Sequence, residues 1–94
     1  MHCVMTDHLN IFIYGDVQGV FFRRTIKHEA ARRGIKGFVQ NKPDGSVYLE
    51  IEGAKDLVKS FVDWIRAGTD GHTVKRVDVE EGNFKAFNTF EIKE

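Results

Sequence analysis

Apolar residues recur along this chain with two different periods, and the order in which those periods alternate constrains the fold more than any other feature. From Ser46 to Glu52 every second residue is apolar. Val47, Leu49 and Ile51 then share one face and Tyr48, Glu50 and Glu52 the other, which marks a strand with one side on the core and one side at least partly wet. Leu9 to Tyr14, LNIFIY, is rich in β-branched and aromatic residues and ends at Gly15; it reads as another strand, with Leu9, Ile11 and Ile13 on one face. Between Phe21 and Arg33 the spacing lengthens to four, through Phe22, Ile26 and Ala30, with basic residues between them. That is an amphipathic helix, and Gly34 ends it with Ile35 placed to pack back on the last turn. Ala54 to Ala67 carries Leu57, Phe61, Trp64 and Ile65 at helical spacing, with Val58 and Val62 widening the stripe, and stops at Gly68.

The remaining segments complete a pattern. Gly37 to Asn41 is a short strand, and Lys42-Pro43-Asp44-Gly45 has the chemistry of a turn leading into the alternating strand that follows. Thr73 to Glu80 alternates Val77 and Val79 with charge, and a last strand around Phe87 to Lys93 carries Phe90 and Ile92 on one face. The order is β-α-β-β-α-β with a short extra C-terminal strand. Because each crossover must be right-handed, both helices lie on one face of a mainly antiparallel sheet, an α+β sandwich of ferredoxin-like type. With 94 residues the chain can fill one such core, so a single domain over residues 1–94 is expected, residues 1–7 forming a flexible N-terminal tail.

This fold hosts many chemistries, so function has to be read from particular residues. A formal net charge of zero gives no broad footprint for nucleic acid or an anionic membrane, and the strands lack the paired aromatic motifs of RNA-binding sheets. No run approaches the ~20 apolar residues of a membrane span. The lone Cys3 cannot form an internal disulfide, which points to a reducing compartment, the cytoplasm. One cysteine is also too few for a copper-chaperone loop. His2, Cys3, Met5 and His8 could catch copper or nickel, but belong more simply to the tail. His28 and His72 read as solvated, and Trp64 as core. Neither metal nor cofactor is expected.

One segment is electrostatically unfinished. Gly15-Asp16-Val17-Gln18-Gly19-Val20-Phe21-Phe22-Arg23-Arg24 runs from the first strand into the first helix. A helix start leaves four backbone N–H groups unpaired and carries roughly half a positive charge. Gly19 could occupy the N-cap position but brings no oxygen, and Arg23 and Arg24 add positive charge where acid would stabilise. The imbalance continues through the helix and just past it, where Arg23, Arg24, Lys27, Arg32, Arg33 and Lys36 face Glu29 alone. An anion seated in the Gly15–Phe22 loop would complete this end, taking hydrogen bonds from successive amides and from the planar fork of Arg23. The alternative is a pair of water-facing arginines, whose clash with the helix dipole costs only ~0.3–1 kcal/mol.

These residues resemble a known family. GDVQGVFFR is similar to the acylphosphatase signature G-x-V-Q-G-V-x-F-R, and Gly37-Phe38-Val39-Gln40-Asn41 followed by Asp44-Gly45-Ser46-Val47 resembles that family's second block. The resemblance runs from about Leu9 to the end of the chain. It implies a metal-independent hydrolase that splits the carboxyl–phosphate bond of acyl phosphates. It implies further that Arg23 and the amides of Gly15, Asp16, Val17, Gln18, Gly19, Val20, Phe21 and Phe22 hold the phosphate, and that Asn41 orients the attacking water. The partners expected are a small acyl phosphate, and inorganic phosphate or sulfate as a product-like ligand, with no nucleic acid and no membrane, the chain working as a monomer. A non-catalytic phosphate-binding module, like the acylphosphatase-like domains of hydrogenase-maturation carbamoyl transferases, is the competing reading. The chain departs from the family's commonest form at Asp16, whose carboxylate must point away from the anion. It departs also at Phe21, bulkier than usual, at Phe38 in place of a frequent Trp, and at Thr69-Asp70 where prolines are common.

Overall fold

The computed structural model describes residues 6–68 and 73–93. In chain order the elements are β1 (Thr6–Asp16), α1 (Val20–Arg32), β2 (Lys36–Asn41), β3 (Val47–Ala54), α2 (Lys55–Arg66), β4 (Thr73–Glu81) and β5 (Phe90–Lys93). The strands form one sheet in the order β4-β1-β3-β2-β5, antiparallel throughout except for the parallel β2–β5 pair. β1 and β2 both run against β3, so they point the same way and α1 crosses between them; α2 joins β3 to β4 around β1 in the same manner. Two interleaved β-α-β units of this kind make the ferredoxin-like sandwich that the order of periods implies.

The alternating strands and the helical stripes meet in one core. Ile11 and Ile13 of β1, Val39 of β2, and Val47, Leu49 and Ile51 of β3 pack against Phe22, Ile26 and Ala30 of α1 and Val58, Phe61, Val62 and Ile65 of α2. Each large side chain removed from water here contributes roughly 1.5–3 kcal/mol. α1 stops as Gly34 and Ile35 donate their N–H groups to the carbonyls of Ala31 and Ala30 at 3.2 and 2.9 Å, while Ile35 tucks into the core. On its last turns Glu29 is buried between Arg32 and Arg33, and the hydrogen bond from Arg32, against the opposing effect of burial, holds its carboxyl down at about 2.

Several expectations are corrected. β1 begins at Thr6, so Thr6 and Asp7 belong to the sheet rather than to a tail. His8 is not a tail residue: it is 5% exposed in β1, because its Nδ1 and Nε2 lie 2.6 and 3.1 Å from the carboxylates of Glu52 and Glu50. On α2 the buried face is Val58, Phe61, Val62 and Ile65, so Leu57 falls to the edge, 42% exposed, and Trp64 is half-buried, stacked on Phe61 at 5.7 Å. His28 is exposed. His2, Cys3, Met5, Thr69, Asp70 and His72 lie outside the described residues.

The last strand starts at Phe90 rather than at Phe87, and topology explains the difference. β4 and β5 are opposite edges of the sheet, so residues 82–89 have to cross the face that the helices leave uncovered. Phe87 lies over His8 at 5.8 Å between ring centres and meets Phe38 edge-on at 5.9 Å. The Glu52 carboxylate accepts the backbone N–H groups of Lys85 and Phe87, and Lys85 Nζ donates to Glu50 at 2.8 Å. Glu50 and Glu52 are consequently buried. Burial opposes the charge on Glu52, but the Lys85 N–H, His8 and the Phe87 N–H outweigh it and hold the carboxyl below its ordinary value of 4.5. No helix among the described residues is long and apolar enough to cross a membrane.

Candidate active site

The candidate site draws on the end of β1 and the end of β2, the two strands that flank β3. From Asp16 the chain passes through Val17, Gln18 and Gly19 into α1, and it is anchored at both ends of that loop by apolar burial: Val17 and Phe22 are both withdrawn into the core. Between these anchors Gln18 donates through Nε2 to the carbonyls of Lys42 and Ser46, at 2.7 and 3.1 Å. Those carbonyls belong to the β2–β3 turn, which is closed by Gly45 N–H to Lys42 O, Lys42 N–H to Ser46 O, and the Asp44 carboxylate accepting both the N–H and the hydroxyl of Ser46. Gln18 thus ties the loop to the turn that begins one residue after Asn41, the last residue of β2.

Two glycines shape the loop for different reasons. Gly15 sits at a break in the β1–β4 register with φ 142°, and a Cβ there would come 2.2 Å from the carbonyl oxygen of Thr73. Gly19, the N-cap, has φ 126° but open space around it, so its backbone angle rather than crowding calls for glycine. α1 starts with no side-chain cap and no acidic residue in its first turn. The helix end is therefore as unfinished in three dimensions as in the sequence.

Two further atoms are left open, one in the first turn of α1 and one at the end of β2. Among the buried side-chain nitrogen and oxygen atoms of the described residues, those without a hydrogen-bond partner are Arg23 Nε and Asn41 Oδ1. Leaving such an atom unpaired costs ~1–3 kcal/mol, and a native chain tolerates this where a ligand or water supplies the partner. The two suit the roles that the family resemblance implies for them: Arg23 offers a donor, which an anion oxygen can take, and Asn41 offers an acceptor, to which a water can donate. Arg24, which follows the signature, is exposed, so the two neighbouring arginines have different surroundings.

Asp16 is exposed at the end of β1, paired with Thr73. Phe21 is also exposed. Among the described residues no group of three or more His, Cys, Asp or Glu side chains is placed to hold a metal ion. Sequence reasoning missed the buried His8–Glu50–Glu52 cluster, which lies on the other face of the sheet and fastens the 82–89 crossing. Its one signal was two glutamates on the presumed wet face of a central strand.

The family model for acylphosphatase matches residues 9–92. The chain belongs to the acylphosphatase family. It is 42% identical over 83 residues to the acylphosphatase of Pyrobaculum aerophilum, covering 83% of this chain and 87% of that protein. The crystal structure of acylphosphatase from Bacillus subtilis superposes with a TM-score of 0.89 at 32% identity, covering 96% of this chain and 100% of the other. A crystal structure of full-length HypF in the phosphate- and nucleotide-bound form matches with a TM-score of 0.86 at 25% identity, covering 99% of this chain but 12% of HypF.

Proposed function

We propose that this acylphosphatase-family chain hydrolyses acyl phosphates through Arg23, the Gly15–Phe22 amides and Asn41. The phosphoryl group sits at the α1 N-terminus, where the loop amides and the Arg23 guanidinium share its charge. A water held by Asn41 attacks phosphorus in line with the carboxyl oxygen; the new P–O bond forms as the old one breaks, releasing a carboxylate and inorganic phosphate. The departing carboxylate has a pKa of only about 4, so it needs no proton from an acid, and the water's proton passes to a phosphate oxygen of the substrate itself. Charge stabilisation by amides and a guanidinium makes a metal unnecessary. The lone Cys3 suits the cytoplasm, and every proposed role falls within one chain, consistent with a monomer.

The observation that carries this reading is the pairing of an orphaned donor on Arg23 with an orphaned acceptor on Asn41 at a helix start that lacks a cap. The test is hydrolysis of benzoyl phosphate in the presence of a chelator. Wild type should turn over, while Arg23→Gln and Asn41→Ala, each still folded, should each lose about 100-fold or more in kcat/KM. Full activity in both variants would overturn the assignment. The likeness to a segment of HypF supports the second reading, a phosphate-binding module. Saturable phosphate binding by wild type without turnover would establish that reading instead.

A further inference from the structure

Phe21 has no role in the core. It lies in the first turn of α1 and is 71% exposed, more than Phe84 at 61% or Leu57 at 42%. Helical side chains lean toward the N-terminus, so its ring is carried over the loop that precedes the helix. Beside it Gly19 leaves open space, a Cβ there meeting nothing within 4 Å. A large apolar ring is therefore exposed to water in the first turn after the loop.

An acyl phosphate has a buried end and a free end. With its phosphoryl group held at the helix start and water attacking in line, the acyl group has to project out of the loop toward solvent. We propose that Phe21 is a specificity-determining residue that receives this acyl group and favours aromatic or bulky apolar acyl phosphates over small ones. The inference rests on the loop being the phosphate seat. Ring-on-ring contact removes apolar area from water on both partners, whereas an acetyl group is too small to cover the phenyl face. Phe21 takes no part in making or breaking bonds, so its contribution falls on KM.

The test compares wild type, Phe21→Ala and Phe21→Leu on benzoyl phosphate and acetyl phosphate, each variant checked by its thermal melt. Relative to wild type, the ratio of kcat/KM for benzoyl to that for acetyl phosphate should fall about three- to tenfold in Phe21→Ala, the fall residing in KM, with Phe21→Leu between the two. An unchanged ratio in Phe21→Ala, with both substrates turned over by wild type, would overturn this inference and leave the reading of the site standing. Turnover of neither substrate by wild type would overturn both.

Discussion

Arg23 is held in a way that its exposed neighbour is not. Its Nε is buried and unpaired at a helix start already short of negative charge, which is what the proposed anion would complete. Gly15 serves the same site by a different route, letting the loop leave β1 pressed against the backbone of Thr73. A Cβ at this position meets a carbonyl oxygen and a φ that side chains avoid, a strain of ~1–3 kcal/mol before the clash is counted. Gly15→Ala should therefore lower the melting temperature by about 10 °C or more, as read by circular dichroism. At this scale the sequence was informative where a residue type was wrong for its surroundings, a cap glycine without an oxygen and arginine at a positive helix end, whereas Asn41 entering a turn is ordinary chemistry and was singled out by the family resemblance alone. It was silent on His8, because nothing within ten residues of it reveals that Glu50 and Glu52 wait on the neighbouring strand.

Elements were legible through their period, and their faces less so. The stripe on α2 was read one position off centre, since Leu57 and Val58 are equally apolar and only the sheet beneath decides which of them is buried. The alternation in β3 correctly divided the strand into two faces, yet could not say that the outer one would be covered. Coverage follows from strand order: β4 and β5 end up on opposite edges, and the 82–89 crossing must travel over Glu50 and Glu52. Glu52 fastens that crossing through two backbone N–H groups and His8. Glu52→Ala should destabilise the protein on the order of 3 kcal/mol in urea melts at pH 7, because it leaves a buried partner and two amides unmatched. The pH dependence has a definite sign. A carboxyl with a lowered pKa in the folded state binds protons more readily when unfolded, so its stabilisation is present above pH 4.5 and is lost as pH falls below that value. The acid limb of stability against pH should accordingly be shallower in the variant; an equally steep limb would show that Glu52 is not ionised in the folded chain.

Across the whole molecule, the candidate site exists only because distant segments meet. The loop after β1 and the end of β2 are separated along the chain by all of α1, and it is β3, lying between the two strands and pairing with both, that brings their ends to the same end of the sheet, with Gln18 linking the loop to the β2–β3 turn. Zero net charge means that no general field draws anions to this protein, so any binding of phosphate must be local and stoichiometric. The most direct test is a phosphate titration of the 15N-labelled chain followed by NMR. The account predicts that the Arg23 Nε–H resonance and the backbone amides of Gly15 to Phe22 shift together along one saturating curve, with the Asn41 side-chain amide among them, and that Arg23→Gln abolishes the response. Shifts that fail to saturate, or that scatter over Arg32, Arg66 and Arg76 while Arg23 stays still, would contradict it.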